Sequence, residues 1–260
     1  MRYILEFLPE IRYSLPMVDA ALKAKVAAYR PDEAKIDSIR RAPMVLMVGI
    51  TAAGKNAVIH RVIDQHPDQY YFLVSHTSRA PRINHGELER DGVHYHFVDL
   101  PTIETMLDNR DFIEAAVIHD SWISGSSVAE VKKSQDMNVV AISDIDIQGA
   151  EIYTRLGLSV KPVFLLPPSF EAWQQRFISR NDGKFDTNEL AARMQSAIRE
   201  IEHALMLENF YIVINDDLDK TVTVVHDIAQ GKPVEPHYQK AMTIAEQLLS
   251  RFREELAKLL

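Results

Sequence analysis

Apolar and polar positions along this chain follow two alternating patterns. Unbroken apolar runs at 44–48 (MVLMV), 70–74 (YYFLV), 139–143 (VVAIS), 162–166 (PVFLL) and 211–215 (YIVIN) read as strands buried on both faces. Between them apolar residues recur at helical spacing, over 55–65 directly after the first run and later over 169–180, 187–208 and 218–229. This rhythm predicts an α/β fold, a parallel sheet with helices on both faces. One interval departs from it. Residues 75–125 hold short, polar-rich segments such as GVHYHFVD and read as a small β-rich insertion over the carboxyl ends of the strands, where open α/β sheets bind ligands.

The flanks are of another kind. Residues 1–42 read as a helical extension, with one helix ending at Pro31 and then a second short helix or a linker. The domain proper is expected over 43–231. After Gly231 the segment KPVEPHY, with its two prolines, reads as a linker, and the remainder of 232–260 as one amphipathic helix. Ala241, Ile244, Ala245, Leu248, Leu249, Phe252 and Leu256 form its apolar stripe, which suits packing on the chain's own core or a homodimer contact through the terminal helices.

Composition narrows the chemistry. The 260 residues include no cysteine, which excludes disulfides, thiolate zinc sites and cysteine nucleophiles. A net charge of −8 argues against nucleic acid as a partner, so any polyanionic substrate needs a local basic pocket. No apolar run is long enough for a bilayer, and the start, MRYILEFLPEIRYS, is broken by charges and Pro9 rather than shaped as a secretory signal. The expectation is a cytoplasmic protein with no membrane contact.

Four stretches carry candidate chemistry. In GITAAGKN, Gly49, Gly54 and Lys55 follow a strand and open a helix. Backbone N–H groups there can cradle phosphate, and Lys55 can reach it as a point charge. Arg79 and Arg82, after the second strand, suit a phosphate or carboxylate. Asp144 and Asp146 end an apolar strand near the loop, where carboxylates organise Mg²⁺ or cap a helix. Arg176 and Arg180 share a helix face, and Arg193 follows a polar loop; together they suit a segment that closes over a transferring phosphoryl group. His94 and His96 flank Tyr95, and such a His-x-His pair is a weak metal signal set against a scaffold role.

In their order along the chain, the phosphate loop, SHTSRAPR, GVHYHFV, FIE, GSS, DIDIQG, PPS and INDDLDK resemble guanylate kinase over roughly residues 43–230. The resemblance implies a P-loop sheet with a GMP-binding insertion (75–125) and a helical lid (168–195). It implies phosphoryl transfer from ATP, with Mg²⁺, to GMP or dGMP. Gly49, Ala52, Ala53, Gly54, Lys55, Asn56 and Ala57 would then hold ATP, with Asn215 on the adenosine side. Ser75, Arg79, Arg82 and Tyr95 would hold the GMP phosphate, Glu114 the guanine N–H groups and Ser126 the guanine oxygen. Asp144 and Asp146 would lie near Mg²⁺ and the base, and Arg176, Arg180 and Arg193 would grip the ATP phosphates as the catalytic group with Lys55. A carboxylate at 114 accepts from guanine N1–H and the exocyclic amine, whereas adenine presents an acceptor at N1.

The sequence departs from the family pattern at the loop, where Ala52 replaces a glycine and Asn56 and Ala57 replace a hydroxyl pair. An Asn56 amide oxygen can still ligate Mg²⁺. Ser124 stands nearest the place of a phosphate-binding tyrosine, beside Trp122 and Ile123, and the lid loop RNDGKFDT is longer than usual. These changes leave a second reading, a catalytically impaired module that recognises a phosphorylated partner through the GMP site. The retained Lys55 and ATP-side arginines favour the enzyme.

Overall fold

The structure, a computed structural model, describes residues 18–84, 87–180 and 186–259. The centre of the expected lid loop, 181–185, and the start of the N-terminal extension lie outside the described residues. Helices α1 (Ala20–Ala27) and α2 (Glu33–Ile39) precede β1 (Met44–Gly49), α3 (Lys55–Gln65) and β2 (Tyr70–Phe72). The insertion comprises β3 (His76–Thr77), β4 (Ile83–Asn84), β5 (Glu87–Leu88), β6 (His96–Phe97), α4 (Leu100–Asp108), β7 (Phe112–Ile118) and β8 (Trp122–Ser127). The chain returns through α5 (Val128–Asp136), β9 (Val140–Asp144), α6 (Ile147–Arg155), β10 (Val160–Leu166), α7 (Phe170–Arg180), α8 (Thr187–Met206), β11 (Tyr211–Ile214), α9 (Leu218–Ala229) and α10 (Glu235–Ala257).

The five predicted strands form one parallel sheet in the order β11-β10-β1-β9-β2. Every residue of β1 is buried, as a central strand between β10 and β9 requires. The strand order reverses direction at β1, so the loop after it opens at a switch point. The register of Met47 with Asp144 brings that loop and the end of β9 to the same edge. The insertion is a second sheet, β6-β3-β8-β7, with the β4–β5 ribbon beside it. It also contains α4, which the polar pattern of 75–125 did not predict. Asp99 caps that helix by accepting from Thr102 N–H, and Ile103 and Leu107 bury its inner face.

The N-terminal extension serves two cores. Ile36 and Ile39 of α2 join the main core around the parallel sheet. Val18, Leu22 and Val26, in and before α1, instead form a separate cluster with Ile103, Leu107, Phe112 and Ile123 of the insertion. Tyr29, after α1, donates its hydroxyl to the Phe112 carbonyl at 2.7 Å and so caps part of the edge strand β7.

At the C-terminus one expectation changes, and of the two readings of the apolar stripe the structure takes the first. Residues 232–238 are not a linker throughout, because α10 begins at Glu235, and its proline falls in the first turn, where a missing N–H breaks no helical bond. The apolar stripe of α10 packs on this chain: Ala241, Ala245, Leu248 and Phe252 are buried against α8, β11 and α7, so it is not a free dimer face. Phe252 meets Trp173 edge-on at 4.7 Å and Phe170 at 5.2 Å. Among the described residues no helix is long and apolar enough to cross a membrane.

Phe252→Ala opens a cavity beneath Trp173 and is expected to destabilise the protein by about 3–5 kcal/mol in urea unfolding.

Candidate functional site

The phosphate-loop candidate is a tight turn held from behind. Gly49 has φ +146°, and a Cβ there would meet the Leu165 carbonyl at 2.3 Å; Gly54 has φ +96°, and a Cβ there would meet Asn215 Nδ2 at 2.4 Å. Ala52 also has positive φ, +63°, in the region where a Cβ is strained. Ala52 therefore occupies, at the cost of strain, a conformation that glycine adopts freely.

Three of the loop's carbonyls receive side-chain donors. Lys55 Nζ donates to Gly49 O at 2.6 Å, Trp173 Nε1 to Thr51 O at 2.9 Å and Asn215 Nδ2 to Ala53 O at 2.9 Å. Arg176 reaches Ala53 O at 3.4 Å and Asn215 O at 2.8 Å. Burial lowers the Arg176 pKa, against the opposing field of Asp216. Arg176 and Asn215, expected to meet ATP, thus brace the loop from behind. Asn56 and Ala57 sit exposed in the first turn of α3, while Ala53 is buried.

A cleft runs in front of the loop in two adjoining lobes that share Tyr95 and Asp144. One lobe, of about 650 Å³, is lined by Gly49, Lys55, Asp146 and, from α8, Ser196, Arg199, Glu200 and His203. The other, of about 420 Å³, is lined by Asn56, Ser75, Arg79, Arg82, Glu89 and Arg180. Asp144 lies 3.8 Å from Lys55 Nζ. Although a third of its side chain meets solvent, its recessed position raises its pKa, against the opposing fields of Lys55 and Arg180. Asp146 is the N-cap of α6, accepting from Gly149 N–H at 2.7 Å, and faces the same lobe as Asp144. The capping reading therefore holds for Asp146, while Asp144 keeps its carboxylate beside Lys55.

The two insertion arginines differ. Arg79 is buried and forms a bidentate pair with Glu89 at 2.5 and 2.9 Å, with its guanidinium 4.7 Å from the centre of the Tyr95 ring. The Arg79 pairing holds the Glu89 carboxyl below its ordinary range, and Glu89 also accepts from Arg82 N–H. Arg82 is exposed, its guanidinium stacked 4.6 Å over Trp122. Ser124, nearest the place of the missing tyrosine, donates to Thr77 Oγ1 instead.

Glu114 and Ser126 connect to the cleft through Ser75. Ser75 Oγ lies 3.4 Å from Ser126 Oγ, and Ser126 N–H donates to Glu114 Oε1 at 3.0 Å. Burial, with a smaller push from Asp146, raises the Glu114 pKa to about 7. Arg180, at the end of α7, lines the smaller lobe; Arg193, on α8, is exposed and lines neither. Sequence reasoning missed the α8 face of Ser196, Arg199, Glu200 and His203, whose i, i+3, i+4, i+7 spacing was a readable signal. It also missed Glu89, for which no local pattern exists. His94 accepts from Arg90 N–H, and His96 pairs with the buried Glu130 at 3.0 Å.

Comparison with known proteins places these residues in context. The sequence profile described as guanylate kinase matches residues 40–232. The chain is 33% identical over 204 residues to a guanylate kinase of Haemophilus influenzae, covering 77% of this chain and 94% of that protein. It is 32% identical over 187 residues to a guanylate kinase of Schizosaccharomyces pombe, covering 72% and 89%. The crystal structure of guanylate kinase from Anaplasma phagocytophilum superposes with a TM-score of 0.55 at 22% identity, over 82% of this chain and 96% of that one, a likeness of fold.

Ala52→Gly should release the backbone strain and stabilise the protein by up to about 1 kcal/mol in urea unfolding. Glu114 gives a pH signature. Its folded pKa, about 7, exceeds the reference 4.5, so the folded state holds its proton more tightly than the unfolded chain does. Its stability cost is absent below pH 4.5, grows as the pH rises and is complete above about 7. Glu114→Gln should therefore gain stability over the wild type across that window, measured as the difference between their unfolding free energies at each pH.

Proposed function

This chain belongs to the guanylate kinase family of nucleotide kinases, and on that premise we propose that it transfers the γ-phosphoryl group of ATP to GMP or dGMP, giving ADP and GDP or dGDP. The observation that carries the reading is a shared cleft. The phosphate loop, with Lys55 against Asp144, and the Arg79–Arg82–Arg180 group open onto two lobes joined at Tyr95 and Asp144.

Each residue then has a task. Lys55 and the N–H groups at the start of α3 hold the ATP phosphates. Arg82, Ser75 and Tyr95 receive the acceptor phosphate, while Arg79, neutralised by Glu89, orients Tyr95 beneath it. Arg180, which lines the smaller lobe, would stabilise the charge that builds on the transferred group. Glu114 and Ser126 read the guanine edge. A role for Arg193 on the ATP phosphates requires the lid segment to close over the cleft. Little further chemistry is needed, because phosphoryl transfer depends mainly on positioning and charge neutralisation.

Mg²⁺ is the cation this donor set suits. The Asp144 carboxylate and the Asn56 amide are oxygen donors on one lobe, and Mg²⁺ is commonly held by one or two carboxylates with substrate phosphates and water. When bound, it would neutralise phosphate charge. Among the described residues no group of three or more His, Cys, Asp or Glu forms a separate metal cluster.

The test is ADP formation with ATP, Mg²⁺ and each nucleoside monophosphate in turn. GMP and dGMP should be turned over, and AMP poorly. Lys55→Ala should lower kcat by at least about 100-fold while the protein stays folded. Binding of GMP without turnover of any acceptor would refute the reading and favour a phosphate-recognising module.

A further inference from the structure

A buried hydroxyl with no role in the scheme above lies behind its acceptor end. Tyr153, on α6, is fully buried, and its Oη has no hydrogen-bond partner. Helix α6 packs on β7, where Glu114 stands paired across the sheet with Ser126, so the polar groups on that side of the ring are the Ser126 hydroxyl and the Glu114 carboxylate. The helix that carries Tyr153 begins at Asp146, so one rigid element supplies both a cleft carboxylate and this hydroxyl. None of the motifs that carry the family resemblance includes position 153.

An orphan hydroxyl in a core costs stability unless something satisfies it. Burial holds the phenol protonated far above neutral pH, so it is a permanent donor in need of an acceptor. Ser126 Oγ can accept and donate at once. Were Ser126 to donate to Tyr153, the phenolic hydrogen would have only the Glu114 carboxylate as acceptor, and that carboxylate already accepts from Ser126 N–H and is needed for the guanine N–H groups. With Tyr153 donating, that hydrogen is satisfied and the Ser126 hydrogen is free to turn toward Ser75 and the cleft, 3.4 Å away. Hydrogen bonds of this kind are often long without ligand and tighten when substrate binds.

We propose that Tyr153 is a positioning residue for base selectivity: with the acceptor nucleotide bound, it donates to Ser126 Oγ and fixes the Ser126 hydroxyl as a donor to the 6-oxo group of guanine. A 6-amino purine at that place sets donor against donor and is rejected. The inference rests on the GMP reading above and adds a residue to it.

Tyr153→Phe keeps the ring and removes only the hydroxyl. Steady-state kinetics of wild type and variant would be compared with GMP, 6-thio-GMP and inosine monophosphate. Sulfur accepts hydrogen bonds weakly, so 6-thio-GMP probes the 6-position; inosine monophosphate lacks the 2-amine and probes Glu114. In the variant, KM for GMP should rise about 5- to 10-fold with kcat within about twofold. The preference for GMP over 6-thio-GMP should shrink by a similar factor, and that over inosine monophosphate should stay unchanged. Thermal stability should be equal or higher, which separates this effect from damage to the fold. An unchanged KM and unchanged 6-thio-GMP preference in an active protein would overturn this inference alone. Both preferences falling together would also overturn it, as a general loosening of the site. A wild type that does not phosphorylate GMP would overturn the functional reading and this inference with it.

Discussion

The loop between β1 and α3 turns the carbonyls of Gly49, Thr51 and Ala53 toward the protein, and buried carbonyls need donors. This constraint organises the centre of the protein. Thr51 is served by Trp173, Ala53 by Asn215 and Arg176, and Gly49 by Lys55 itself. Those donors come from α7 and the end of β11, and Trp173 is in turn seated on Phe252 of α10. The phosphate loop is therefore as rigid as the packing behind it, which explains how Ala52 can be held at positive φ in a loop whose family pattern has glycine there.

Charge in the cleft follows the same economy. In a chain of net charge −8, cationic groups near the site are either paired or held apart from the acidic surface. Arg79 is locked by Glu89 and becomes a support for Tyr95. Arg82, stacked on Trp122, keeps its guanidinium exposed. Lys55 faces Asp144 at 3.8 Å, longer than a tight ion pair, so its ammonium retains room for a phosphate oxygen. Two carboxylates shift the same way: burial raises the Glu114 pKa to about 7, so it does not carry a full negative charge at neutral pH, and burial also raises that of Glu200, which lines the lobe beside Lys55.

The segments outside the family match also follow from burial. Residues before 40 link the two bodies of the domain: α2 adds to the main core, and α1 covers the apolar face shared by α4, β7 and β8. Lys25 reaches Glu104 and Asp108, and Lys35 reaches Asp111, which adds polar ties along the same junction. At the other end, α10 covers α7 and α8.

The amino-acid sequence by itself determined the parallel sheet, since unbroken apolar runs of strand length can be buried on both faces in few other ways, and α3 and α9 fall at the residues their periodicity marked. It also determined the chemistry that is local: a phosphate loop is contiguous, so Gly49, Gly54 and Lys55 declare it without the fold. It did not determine α4, whose short amphipathic pattern was hidden in a polar stretch, or the start of α10, where two prolines imitated a linker. Only the tertiary structure decided which arginines are free. Arg176 and Arg180 are equivalent in sequence, four apart on one helix face, yet one donates to carbonyls behind the loop and the other lines the cleft. Arg79 and Arg82 separate in the same way through Glu89 and Trp122. The physical reason is common to all of them. A side chain's function depends on the groups that compete for its hydrogen bonds, and those groups arrive from distant parts of the chain.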